Sequence, residues 1–170
     1  MHFRAALLAS CLGFGTAHAQ PPADQLIGEI EGVYKHRFQN GLVTGEKYQS
    51  EDVVEIVRYD DSRIYVRAEL QFFNGHECSI SGIAKYDGGK FVYDAPPSDP
   101  DTPACHFQVG VDGKAITFGD PDGACRPSRC GARGGLDGYT IARDSKRKIR
   151  YMDRLRNSSE YKQAVGELKK

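Results

Sequence analysis

Apolar and polar positions alternate with a period of two along most of the chain. The clearest run sets Ile64, Val66, Ala68, Leu70 and Phe72 on one face against Tyr65, Arg67, Glu69 and Gln71 on the other, the signature of an antiparallel strand buried on one side. Similar runs occupy 28–38, 51–59, 79–86, 90–94, 106–112, 115–119 and 138–142. Asp60-Asp61-Ser62, Asp87-Gly88-Gly89 and Asp112-Gly113 join three of the strand pairs as hairpin turns, because Asp and Gly accept positive φ at little cost. About eight short strands at hairpin spacing predict a mainly β fold, an antiparallel meander forming a small closed or partly open barrel, since closure removes exposed edges. An open sheet or a sandwich is the alternative. A barrel of this size either fills with side chains or holds one small ligand.

Beyond Arg143 the period changes. Ile149, Met152 and Leu155 recur at helical spacing. After Asn157-Ser158-Ser159-Glu160, an N-cap signal with a following acid, Tyr161, Ala164, Val165 and Leu168 do the same. One or two short C-terminal helices are expected, packed outside the barrel or across one end. The segment from Ala95 to Pro103 holds four prolines that lack the N–H a ladder requires, so it reads as a long acidic loop, a stiff connector or a partner contact.

The first residues look like an export signal. Met1-His2-Phe3-Arg4 carries one positive charge, an apolar core runs from Ala5 to Gly15, and Ala17-His18-Ala19 offers small residues for cleavage after Ala19. The organisation expected is a signal peptide over 1–19, an N-terminal linker over 20–27, a barrel over 28–142 and a basic helical tail over 143–170. The mature protein is expected in the periplasm, with secretion as the next choice. A second route exists, because Leu8-Ala9-Ser10-Cys11 resembles the lipobox of bacterial lipoproteins.

Charge adds one contrast to this picture. The 170 residues carry 23 Lys+Arg and 23 Asp+Glu, and the zero balance argues against a nucleic-acid partner. Yet residues 20–142 hold 12 basic and 19 acidic side chains, whereas 143–170 hold 10 and 4. The two parts are expected to attract one another. Lys146-Arg147-Lys148-Ile149-Arg150 and Arg154-Leu155-Arg156 form either a solvated basic face or a contact for an anionic membrane or polysaccharide, and the second makes a structural envelope protein that binds anionic surfaces through its basic tail an alternative function.

After loss of Cys11 with the signal, Cys78, Cys105, Cys125 and Cys130 remain, an even number that in an oxidising compartment points to disulfides. Three pairings are possible and sequence does not choose among them; we expect Cys125–Cys130 closing a small loop and Cys78–Cys105 stapling two strands. His76-Glu77-Cys78 and Cys105-His106 have the residue types of a metal site, but oxidised sulfur does not ligate zinc, so no metal is expected. No cofactor is expected either. No catalytic group is assigned, for the chain lacks a Gly-x-Ser-x-Gly elbow. His36, His76 and His106 have no partner pattern, and the acids at Glu51-Asp52 and Asp60-Asp61 are adjacent residues that face apart or sit in a turn. His36 shares a predicted face with Ile30, Tyr34 and Phe38, which suits a core or a barrel-mouth histidine. Around the last cysteines, Arg126, Arg129 and Arg133 lie among glycines in a loop whose N–H groups either form a tight turn or cradle an anion.

The segment Cys130-Gly131-Ala132-Arg133-Gly134-Gly135-Leu136-Asp137-Gly138-Tyr139 resembles a late segment of small exported bacterial β-barrel proteins of the lysozyme-inhibitor kind. In the inhibitors of c-type lysozyme a Ser-Gly-x-x-Tyr loop enters the enzyme's cleft, and Ser81-Gly82-Ile83-Ala84-Lys85-Tyr86 is similar with one residue more. The resemblance implies a non-enzymatic inhibitor of lysozyme or another cell-wall hydrolase, with Ser81, Lys85 and Tyr86 as candidate contacts. Gly32-Val33-Tyr34 loosely resembles the Gly-x-Trp start of calycin-like carriers, which implies a small hydrophobic ligand instead.

Overall fold

The computed structural model of the chain describes residues 20–95 and 103–169. The expected signal, its alternative lipidation at Cys11, and most of the proline-rich loop lie outside these residues. Eight strands form one sheet in sequence order, each antiparallel to the next: β1 (Gly32–Gly41), β2 (Lys47–Arg58), β3 (Arg63–Gln71), β4 (Glu77–Asp87), β5 (Lys90–Asp94), β6 (His106–Asp112), β7 (Ala115–Gly119) and β8 (Thr140–Ala142). The sheet curls into a nearly closed barrel. Past β8 the chain returns to β1, where Val33 donates to the Arg147 carbonyl at 2.9 Å and Arg147 donates back to Val33 at 2.8 Å.

Alternation decides what fills the barrel. Ile64, Val66, Ala68 and Leu70 of β3 turn inward with Val54 and Ile56 of β2, and meet Ile80, Phe91, Phe107, Val109 and Ile116 from the other strands in one buried cluster. Side chains occupy the interior. One end is plugged by α1 (Ala23–Ile30), whose Leu26, Ile27 and Ile30 join that cluster, and Tyr34 inside the barrel donates its hydroxyl to the Ile30 carbonyl at 2.6 Å. This corrects two expectations: residues 23–27 are not a linker, and 28–30 belong to a helix rather than to the first strand. Leu26, Ile27 and Ile30 share one helical face directly after Pro21-Pro22, a start signal that the neighbouring period-two pattern hid. The second strand likewise begins at Lys47 rather than 51, because the β1–β2 ladder continues to the Gly41–Lys47 pair.

A second apolar cluster lies outside the barrel. Val57, Tyr65 and Ile83 are cross-strand neighbours on the outer face of β2, β3 and β4, and with Val33 they are covered by Ile149, by Leu155 of α3 (Met152–Arg156) and by Ala164 of α4 (Ser159–Glu167). Ser158 caps α4, its hydroxyl accepting from the Tyr161 amide at 3.2 Å. Beneath this cover Glu55 is only 2% exposed, and its two carboxylate oxygens accept from Arg67 at 3.0 Å and from the Tyr151 hydroxyl.

The sheet has a seam between β4 and β5. Only Lys85–Asp87 of β4 pair with Lys90–Val92, although β3 pairs with β4 from Gln71–Glu77 through Arg63–Lys85. The Tyr93 ring crosses the seam over Gly82, where a Cβ would fall 2.2 Å from it, and its hydroxyl donates to Glu167 at 3.1 Å. Glycine is therefore required at position 82 by this close approach.

Burial pushes the hydroxyls of Tyr34 and Tyr93 up to about 12, and raises those of Tyr65 and Tyr139 as well. A tyrosine in an unfolded chain ionises near ~10. The stability that Tyr34 and Tyr93 confer is therefore complete below ~10 and is lost as pH rises through about 12. Each contributes a slope of about 1.4 kcal/mol per pH unit in that window. In an alkaline titration these phenolates are expected to appear together with unfolding as followed by circular dichroism; their appearance near pH ~10 in a folded chain would contradict their burial.

Candidate binding surface at one end of the barrel

Two connections meet at the end of the barrel opposite α1. The β1–β2 turn is closed by the Leu42 amide on the Glu46 carbonyl at 2.8 Å, and the β3–β4 connection by the Phe72 amide on the His76 carbonyl at 2.7 Å. Asn74 adopts the left-handed conformation, φ 63°, which asparagine tolerates better than most residues, and its side-chain oxygen accepts from the Val43 amide at 3.2 Å. Asn40 binds the Phe72 carbonyl at 3.0 Å and the Tyr48 hydroxyl accepts from Gly75 at 3.2 Å, so the two connections are tied at several points. They carry two of the large apolar side chains left exposed, Val43 at 68% and Phe73 at 44%. The Arg133 guanidinium lies 5.7 Å from the centre of the Phe73 ring, within cation–π range.

The wall behind these tips is polar, and its buried carboxylate is paired. Asp52, 4% exposed, accepts from the Gln71 amide at 2.7 Å and from the Tyr139 hydroxyl at 3.0 Å, and His36 Nδ1 stands 3.6 Å away. Burial first, and then the Asp52 charge, raises the Tyr139 pKa, so this hydroxyl holds its proton and remains a donor. His36 stacks on Phe38 and is exposed at this mouth, one of the two positions expected for it.

The late cysteine segment reaches the same end by a cross-linking different from the one expected. Cys78 pairs with Cys130 and Cys105 with Cys125; neither Cys125–Cys130 nor Cys78–Cys105 forms. Between Cys125 and Cys130 the chain makes one helical turn, α2 (Arg126–Arg129), held by Arg129 on the Cys125 carbonyl and Cys130 on the Arg126 carbonyl. Cys125 is buried against Cys105 ahead of β6, whereas Cys130 leaves the turn extended and lies beside Cys78 as an antiparallel bridge with Cα atoms 4.0 Å apart. The segment thus straddles the seam, tied to β4 on one side and to the approach to β6 on the other. Gly134 lies so close that a Cβ there would fall 2.8 Å from Cys78 Sγ. With the four described cysteines oxidised, none of these sulfurs is available to a metal, and among the described residues no group of three His, Cys, Asp or Glu is placed to hold one. Two disulfides mark a chain that matures in an oxidising, exported location, and among the described residues no helix is long and apolar enough to cross a membrane.

The other candidate residues are distributed differently. Ser81 sits half-buried on the outer face in mid-β4, opposite Arg67; Lys85 is exposed near the far end of that strand, opposite Val92. Tyr86 packs on Phe91 and donates its hydroxyl to the Pro21 carbonyl at 2.7 Å, which fastens the lead-in to α1. Ser81 to Tyr86 is therefore strand, not a projecting loop. Arg126 folds back onto the Ala132 carbonyl at 2.6 Å, Arg129 is half-buried on α2, and Arg133 alone reaches the exposed tips. Val43, Phe73 and the Asp52–Tyr139 pair escaped the sequence reading. The available signals were an apolar residue inside the turn Leu42-Val43-Thr44-Gly45 and the doublet Phe72-Phe73 set directly before Asn74-Gly75.

Peptide mapping without reduction is expected to recover Cys78 joined to Cys130 and Cys105 joined to Cys125. The closed loops span 52 and 20 residues. In the chain-entropy model, opening them by paired Cys→Ser substitution costs about 4 and about 3 kcal/mol respectively, measured by urea unfolding.

No family model matches this chain, and no match was found among curated proteins or solved structures.

Proposed function

We propose that the protein is an exported, non-enzymatic binding module of the periplasm that inhibits a cell-wall hydrolase of the lysozyme type by docking the loop end of its barrel in the enzyme's cleft. The observation that carries this reading is the assembly at one end of the Cys130–Tyr139 segment, the part that resembles the inhibitors, with the exposed tips Val43 and Phe73 and the Arg133 guanidinium. Aromatic and arginine side chains dominate the binding energy of protein interfaces, above all when rigidly presented. Here the presentation is held by the Asn74 and Asn40 hydrogen bonds and by the Cys78–Cys130 cross-link. The packed interior also favours a surface role: a carrier needs an apolar void, and Tyr34, Phe91, Phe107 and Leu70 occupy that space.

Titration against c-, g- and i-type lysozymes is expected to show inhibition of at least one class at micromolar concentration. Phe73→Ser, an exposed change, is expected to weaken that inhibition by about tenfold or more. Lys85→Ser, near the opposite end of β4, is expected to leave it unchanged. Absence of inhibition for all three classes removes the assignment.

A further inference from the structure

Few direct charge pairs join the tail to the barrel. Among the described residues one ion pair joins the two, Arg143 to Glu29 at 3.2 Å, while Lys146 spends its ammonium on the Glu29 carbonyl at 2.6 Å. What holds the tail is the apolar cover of Ile149, Leu155 and Ala164, the Tyr151 hydroxyl on Glu55, and the paired bonds of Val33 with Arg147. The attraction expected between the two parts is made directly by that one ion pair, which leaves a surplus of cations. Arg147, Lys148, Arg150, Arg154 and Arg156 are exposed, and none has a carboxylate within ion-pair distance among the described residues. Arg154 lies over the Tyr151 ring, 4.8 Å from its centre.

The backbone beneath these cations is fixed. Gly32 allows the tail to press against β1, since a Cβ there would fall 2.7 Å from Lys146 Cγ and 3.0 Å from the Arg147 carbonyl oxygen. Beside that contact opens a cleft of about 370 Å³ whose floor is Gly32, Ile149 and Met152 and whose rim is Lys146, Arg147 and Lys148. Glu31 also lines it, with one carboxylate oxygen accepting from the Arg58 amide at 3.1 Å.

From this geometry we infer that the tail face is a docking surface for the anionic headgroups of a phospholipid bilayer. Three features select that occupant. The cations follow an extended stretch and then a short helix, covering a line of roughly 20 Å, so a small anion meets only one or two of them, whereas a charged surface meets several, Lys148 and Arg150 together because they alternate with the buried Ile149. The cleft floor is apolar and contains a methionine, a side chain that adapts to irregular apolar partners, which suits the glycerol and first methylenes of a lipid and not a polysaccharide. The balancing acidic charge lies in the barrel body, so the molecule, though neutral overall, is oriented by an anionic surface. The ten residues of β1 separate this face from the tips at Val43 and Phe73, so bilayer contact leaves the loop end free.

The test is sedimentation of the full chain with vesicles rich in phosphatidylglycerol against vesicles of phosphatidylcholine alone, at low and high salt. Binding to the first and not the second, weakened by salt, is expected. Each of Lys148→Glu and Arg150→Glu, both exposed, is expected to weaken it about fivefold or more with an unchanged thermal melt. Met152→Ser is expected to reduce affinity while leaving the salt dependence in place. Equal sedimentation with both vesicle types overturns the inference. So does binding of inorganic phosphate with the same variant sensitivity, or of dextran sulfate in preference to vesicles. Lysozyme inhibition is read in a separate assay, so either result stands without the other.

Discussion

The architecture depends on closing a sheet that does not close itself. Along β4 the residues from Glu77 to Ala84 have β3 on one side, and the ladder to β5 begins only at Lys85. An open edge of that length would be a template for unwanted pairing. Covalent and packing devices cover it instead: the Cys78–Cys130 cross-link with Gly131 donating to the Glu77 carbonyl, the Tyr93 ring on Gly82, and α4 over Ile83. The second disulfide anchors the same segment near β6, so α2 acts as a short strut across the gap. At the other join, β8 is only three residues long and the return to β1 is made by the Val33–Arg147 bridge, which also fixes the start of the tail.

These closures distribute the chemistry of the surface. Covering the seam brings the glycine-rich Cys130–Tyr139 segment to the barrel mouth, where Arg133 meets Phe73 and Tyr139 meets Asp52. Closing the β8–β1 join lays the basic tail along the outside near α1 and leaves its cations facing water. The two faces therefore arise from the same structural need, and each is presented on backbone that is held in place.

Much of the fold was legible in the order of residues. Ile64 to Gln71 announces its strand because its inner face is apolar throughout and its outer face mostly polar, and the Asp-Gly turns mark the hairpins because few other residues take positive φ there. Val57, Tyr65 and Ile83 show where this legibility ends: they are apolar on the outward parity, a pattern that makes sense only once α3 and α4 lie over them. The helix α1 was hidden for a related reason, since a short helix whose apolar face plugs a barrel end looks locally like the start of a strand.

The site was far less legible than the strands. Period, turn chemistry and cysteine number act through near neighbours, and they were enough to specify an antiparallel meander, a helical tail and oxidised sulfur. Which cysteines pair, which apolar residues stay exposed and which cations lack partners are set by contacts between residues distant in the chain. Cys78 and Cys130 are 52 positions apart, and Asp52 and Tyr139 are 87. Those choices follow from how the sheet curls and where its edges must be covered, and no local pattern encodes that geometry.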